Sequence, residues 1–252
     1  MDGDYDLKIT SSLPKKFSVV VGFPGVGLAG YIASDTIISQ CKMEEIGYVD
    51  VETTPPVSIV IEATPKHPVR IFKCDDLVLI KSEVPIMPDI AARLGDTIVH
   101  WAREHNAERI ILLDAISAPG RSESENETKV WGITTTEKFE DAFKGLDVNP
   151  MEKGMIIGLA SEVLVDAKDE NVDCIGLFAE SNVEIPDPRA AASLVHKLGD
   201  LTNKKFDTRD LIEKATEIET AFKEQMAAIM EALKQGGPSG EEKEGGEPSM
   251  FG

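Results

Sequence analysis

Phe17 to Phe23 reads FSVVVGF, a short, continuous apolar run rich in valine, and it passes directly into the glycine-studded segment PGVGLAG. An apolar run without alternation fits a strand buried on both faces, the environment of a parallel sheet covered by helices on each side. Gly25, Gly27 and Gly30 supply a tight turn, and Leu28, Tyr31, Ile32 and Ile38 suit a helix packed back onto the sheet. Strand, glycine turn and helix make the first half of a βαβ unit, so the pattern points to an α/β fold.

The alternation continues along the chain. YVDVE (48–52), VSIVIEA (57–63), VRIFKC (69–74) and LVLIKSEVP (77–85) read as strands, and their short separations require part of the sheet to be antiparallel. A helix is predicted from Pro88 to about Glu104, with Ile90, Leu94, Ile98 and Trp101 at helical spacing and Pro88 suited to the first turn. RIILLDAIS (109–117) reads as a central strand, APGRSESENETK (118–129) as an exposed loop and VWGITTT (130–136) as a further strand. A second glycine turn, Gly154 to Gly158 in GMIIGLASEVLVDA, leads to a helix and then to the strand DCIGLFAE, repeating the βαβ theme. In IPDPRAAA two prolines and Asp187 set up a helix start, after which Ala191, Leu194, Val195 and Leu198 share one apolar face. The prediction for residues 1–206 is a three-layer α/β/α sandwich around a mixed sheet.

Beyond the sandwich, Asp207 or Thr208 can cap a long helix over residues 207–235, in which Leu211, Ala215, Ile218, Phe222, Met226, Ile229 and Leu233 recur at spacings of three and four. Such a stripe fits packing on the body or pairing with the same helix of another subunit. Residues 236–252 are an acidic tail. Its 14 residues from Gly236 to Ser249 carry no aliphatic or aromatic side chain, so the tail is expected to be a disordered, flexible tether. It ends in Met250, Phe251 and Gly252. An apolar pair at the tip of a solvated tether is either accidental or delivered to a pocket on another protein.

Charge and cysteine usage narrow the function. With 45 acidic against 26 basic side chains the formal net charge is -19, which argues against nucleic acid and anionic membranes as partners. The charge fits solubility through self-repulsion, with attraction to a basic partner as the other reading. Cys41, Cys74 and Cys174 show no metal-ligand spacing, and their odd number speaks against a disulfide framework. The N-terminal MDGDYDLKITSSLPKK is polar where a secretory segment would be apolar, and no apolar run approaches the ~20 residues of a membrane span. The expected location is the cytoplasm.

Gly25, Gly27 and Gly30 also match G-x-G-x-x-G between a strand and a helix, the context of a dinucleotide or nucleoside site, with Asp50 or Glu52 as the acidic residue on the second strand. No Arg or Lys in the turn would hold a pyrophosphate, although helix N–H groups can. The same glycines are what any tight strand-to-helix turn needs. A catalytic centre is not evident. His67, His100, His105 and His196 read as surface residues, and Ser161 in GLAS does not form a G-x-S-x-G elbow. Asp114 and Glu83 stand near the carboxyl edge of the predicted sheet, where α/β enzymes place acids and where turns are also capped. No catalytic residue, cofactor or metal is predicted, and a small-molecule-binding enzyme built on the Gly25–Gly30 turn is the alternative function.

Three segments, GFPGVGLAGYIASDTI (22–37), GMIIGLASEVLV (154–165) and IPDPRAAASLVHKL (185–198), together resemble the archaeal branch of the proteasome assembly chaperone family over most of residues 15–206. The resemblance implies a phosphorylase/hydrolase-like three-layer fold without established enzymatic activity, in proteins that associate with themselves and with proteasome subunits. It also gives the tail a meaning. Some chaperones and activators of this kind end in a hydrophobic-Tyr-any residue motif that enters pockets between α subunits of the 20S ring, and the matching positions here are Met250, Phe251 and Gly252. Phe251 departs from that pattern: the ring is kept and the phenolic hydroxyl is lost.

Overall fold

A computed structural model describes residues 5–51, 57–118, 128–136, 138–181, 185–217 and 220. Residues 119–127 of the predicted loop 118–129, most of the predicted C-terminal helix and the terminal Met250, Phe251 and Gly252 lie outside the described residues. The chain divides into a compact unit, Met1–Ala215, and a second, Thr216–Gly252. The elements below belong to the first.

In chain order they are β1 (Leu7–Ile9), β2 (Ser18–Gly22), a 3-10 turn (Val26–Leu28), α1 (Ala29–Cys41), β3 (Glu44–Val49), β4 (Ile59–Ile61), β5 (Thr64–Lys66), β6 (Val69–Cys74) and β7 (Leu77–Ser82). There follow α2 (Pro88–Glu104), β8 (Arg109–Ser117), β9 (Val130–Thr134), α3 (Phe139–Ala142), β10 (Asn149–Pro150), α4 (Leu159–Asp169), β11 (Cys174–Ser181) and α5 (Pro188–Thr202). One nine-stranded sheet runs in the order β1-β3-β6-β7-β2-β8-β11-β9-β10, and β4 and β5 form a separate hairpin. The four central strands β7, β2, β8 and β11 are parallel. The wings are mixed: β6 is antiparallel to both β7 and β3, β1 to β3 and β9 to β11, whereas β10 follows β9 in parallel.

Apolar side chains alternate between the two faces of the central strands, as the strand repeat dictates. Val19, Val21, Ile110 and Leu112 face α2 and α4, while Val20, Ile111 and Leu113 face α1 and α5. α2 shows why its sequence is a helix: Ile90, Leu94, Ile98 and Trp101 are buried on one side, Pro88 occupies the first turn and Asp89 lies at its positive end. Burying one such leucine or isoleucine is worth about 2 kcal/mol. The result is the predicted three-layer α/β/α architecture with a mixed sheet.

Several local expectations are corrected. The run 57–63 contributes no strand to the main sheet and turns back at positive-φ Glu62 and Ala63 into the β4–β5 hairpin. β3 begins at Glu44, ahead of the predicted 48–52, and β1 is an additional strand held by pairing with β3. α1 does connect β2 to a parallel strand, but β6 and β7 stand between β2 and β3. The second βαβ theme does not hold, because β10 has two residues and runs opposite to β11, β9 having entered the sheet reversed. At the other end of the chain, helix is resumed over 209–217, where Leu211 and Ala215 are buried, Leu211 against the α1–α5 face. The first turns of this helix thus pack on the body. All three cysteines are free thiols. Burial and the neighbouring Cys74 thiol push the Cys41 thiol up.

Candidate functional site

The carboxyl ends of β2, β7, β8 and β11 open onto one edge of the sheet, and the chain leaves β2 there for α1. In open α/β sheets this edge is where ligands meet the fold. The glycines divide by role. A Cβ at Gly22 would lie 2.1 Å from Ser34 Oγ, and one at Gly30 would lie 2.2 Å from the Leu113 carbonyl oxygen, so these two let α1 sit directly on β2 and β8. Ser34 closes that contact by donating to the Gly22 carbonyl at 3.2 Å. Gly27 takes a left-handed φ of 57°, and Leu28 follows at 52°, a conformation that costs a branched residue energy. The Gly27 carbonyl in turn accepts from the Asp187 N–H at 2.8 Å. Asp187 caps α5 as predicted, its Oδ1 accepting from Ala190 N–H and its Oδ2 from the Ser181 hydroxyl.

Gly25 has a different neighbour. A Cβ there would lie 2.6 Å from Asp114 Oδ1. Asp114 occupies a position of β8 where alternation calls for an apolar residue, since Ile110 and Leu112 face the α2–α4 core and Phe178 pairs with it across β11. It forms the floor of a cleft of about 670 Å³ whose walls include Val26, Ile116, Trp131, Met151, Ile156 and Phe178. The Ala115 N–H donates to Oδ1 at 2.8 Å. Enclosure by protein on every side but the cleft removes water from the carboxylate and pushes its pKa up to about 6, against the opposing pull of the Ala115 hydrogen bond. Gly154 to Ile157 also line the cleft. The three segments that carried the family resemblance therefore converge here: 22–37 and 154–165 at the cleft, and 185–198 through Asp187 on the glycine turn.

Glu83 follows β7 at the same edge and is surrounded by cations. Arg70 from β6 bonds to it, Lys81 approaches at 3.1 Å and the Tyr31 hydroxyl donates at 2.9 Å. Lys81 also pairs with Asp35 and lies 4.2 Å from the centre of the Tyr31 ring, and Arg70 reaches Glu45 at 3.1 Å. Burial alone would raise the Glu83 pKa, but the Arg70 and Lys81 hydrogen bonds outweigh it and hold the carboxyl below the ordinary range. Burial and the bond to Glu83 push the Tyr31 phenol up. This cluster is a linked ionic network, continued through Glu45 to Lys66 at 2.9 Å. Its members Arg70 and Lys81 escape a reading of the sequence because they are isolated among mostly apolar neighbours in their strands, and their partners come from α1 and β3.

Other candidates disperse. Asp50 is exposed just beyond β3, three strand positions from β2 and thus roughly 14 Å across the sheet from the glycine turn, too far to serve as the fingerprint's acidic residue. Glu52 lies outside the described residues. The four histidines are exposed, as expected: His67 stacks on Tyr48 and His100 bonds to Glu104. Ser161 sits in the first turn of α4, its N–H bonded to the Gly158 carbonyl. The apolar lining, Trp131 and Phe178 above all, is missed by the sequence reading because it is assembled from β9 and β11, which pair only in three dimensions.

Comparison with known proteins places the whole body. Residues 19–226 match the PAC2 family. An uncharacterized protein of Methanocaldococcus jannaschii is 32% identical over 206 residues, spanning 82% of this chain and 84% of that protein. The crystal structure of Pyrococcus furiosus PbaA, described as an archaeal homolog of proteasome-assembly chaperone, shares 26% identity with a TM-score of 0.79, covering 92% of this chain and 96% of its own. PbaB of the same organism, described as an archaeal proteasome activator, has the same fold, with a TM-score of 0.76 at 18% identity over 88% of this chain and 99% of its own. By the extent of the family match and the identity to its relatives, this chain belongs to the PAC2 family.

Proposed function

We propose that this protein is a non-catalytic proteasome assembly chaperone or proteasome-binding adaptor of the cytoplasm, that it associates with itself, and that it docks Met250, Phe251 and Gly252 into pockets of the 20S α ring. The observation that carries the reading is the likeness to PbaA along 92% of the chain at 26% identity. The chemistry of the tail supports it. Phe251 suits an apolar slot, Met250 adapts to an irregular rim, and the Gly252 carboxylate suits a basic residue of the pocket. The 14 residues before the tip give an unstructured chain a span of roughly 20 Å, enough to reach a pocket beside the docked body. Several tails on one oligomer raise the effective concentration and offset the hydroxyl that Phe251 lacks.

The test is capture of purified 20S particles by the full-length chain and by a form lacking residues 250–252. Loss of the tip is expected to weaken capture by roughly tenfold or more while leaving thermal unfolding of the body unchanged. Equal capture by both forms removes the tail from the mechanism, and capture by neither form, with α subunits also failing to bind, rejects the reading.

A further inference from the structure

The Asp114 cleft is not explained by proteasome docking through the tail. Its carboxyl sits at a core-facing strand position and lines the cleft, yet the one hydrogen bond it makes among the described residues is from the Ala115 N–H to Oδ1. No cation among the described residues contributes to its charge balance. An acid in apolar surroundings is costly unless it is paired, which makes a lone one at a sheet's carboxyl edge a sign of a ligand. The space beside it falls in the range of small-molecule pockets, roughly 300–1,000 Å³. At its opening Met155 and Ile157 are 80% and 76% exposed, apolar surface that an occupant would cover. Gly25 keeps the carboxyl accessible, since any side chain there would run into Oδ1.

The kind of ligand follows from these groups. A phosphate or carboxylate at this turn would meet the Asp114 charge. A purely apolar molecule would desolvate the acid further and leave it unpaired. We propose that the cleft binds a small organic amine, whose ammonium group pairs with Asp114 while its apolar or aromatic body fills the space between Trp131, Met151, Ile156 and Phe178. The site is independent of the proteasome reading, because its test involves no proteasome component.

The protein reports on the site itself. It has two tryptophans, Trp131 on the cleft wall and Trp101 buried under α2 against Phe17, so the Trp101 indole N–H resonance is an internal control for Trp131. Titrating 2-phenylethylamine into the full-length chain at pH 7.5 is expected to shift the Trp131 signal saturably and leave Trp101 in place. An equal concentration of 3-phenylpropionate should move neither signal. Lowering the pH from 7.5 to 5 should weaken the amine at least severalfold, because Asp114 takes up its proton near about 6 while the amine stays cationic. Lys153 also lines the cleft and Glu180 accepts from the Trp131 indole, so the pH dependence must be tied to Asp114. Asp114→Asn is expected to weaken the amine about tenfold and abolish the pH dependence, which a contribution from Glu180 or Lys153 would not. Equal binding of the amine and the acid overturns the proposal without any variant. So does a pH dependence that survives Asp114→Asn, or the absence of a saturable Trp131 shift up to about 10 mM amine.

Discussion

Glu83 and Asp114 lie at the carboxyl edge of one sheet, at strands separated only by β2, and their surroundings are opposite. Glu83 collects Arg70, Lys81 and Tyr31 and is held ionised. Asp114 has apolar walls, one backbone donor and a raised pKa. The same residue class at equivalent edges therefore serves two ends: a carboxylate gathered in by cations fixes the β6–β7 wing to α1, and one with no cation partner among the described residues is available to something else. Position at the edge of an α/β sheet does not separate these cases; the inventory of neighbouring cations does.

The comparison can be broken first at Glu83. Glu83→Ala removes the shared anion and leaves Arg70 and Lys81 buried with Glu45 and Asp35 as their acidic partners among the described residues. Breaking a buried pair costs about 3–5 kcal/mol, and with two acids remaining a loss of about 3 is expected, read as a lower urea midpoint. At Asp114 the sign should reverse. Its native pKa of about 6 against 3.8 for the unfolded acid corresponds to at most about 3 kcal/mol of destabilisation above pH 6. Discounted for the side open to the cleft, Asp114→Asn should gain about 2 kcal/mol at pH 8.

The two sites should also respond oppositely to acid. Because the folded protein holds the Asp114 proton more tightly than the unfolded chain, wild-type stability through this group falls as pH rises from about 4 to 6, so the advantage of Asp114→Asn is full above that window and absent below it. Glu83 contributes stability at neutral pH that is lost as pH falls through its lowered folded value. Urea titrations at pH 4, 6 and 8 separate the two, and a gain from Asp114→Asn that is the same at every pH would contradict the assignment. The smallest expected effect is at Tyr31→Phe, which deletes the hydroxyl that donates to Glu83 but keeps the ring beneath Lys81. A loss of about 1 kcal/mol is expected.

Local signals carried much of the fold. β6 (Val69–Cys74), β8 (Arg109–Ser117) and α2 (Pro88–Glu104) match their sequence boundaries, because continuous apolar runs and a helical stripe with proline at its start are properties of the segment itself. Strand order and the β1–β3 pairing of Leu7 with Val49 are not, since nothing near Leu7 encodes a partner some forty residues away. Asp114 interrupts an alternation of Ile110, Leu112 and Ile116 that is visible in the sequence, so its unusual place was half legible. The decisive part, that among the described residues no cation pairs with it while two pair with Glu83, depends on which strands flank each acid. The glycines show the same limit: their turn is readable, but Gly30 serves helix-on-sheet contact while Gly25 spares a carboxyl, and only the neighbours distinguish them.

The margins of the sheet limit how copies of this chain can join. Among the described residues one margin is β1, three residues long, and the other is β10, with two residues, of which Pro150 has no amide hydrogen to offer. So little open backbone gives a neighbouring molecule almost no ladder to extend, which protects against strand-to-strand aggregation. Any self-association of this protein would accordingly have to be written in side chains, through helical faces and loops, where single substitutions can tune it.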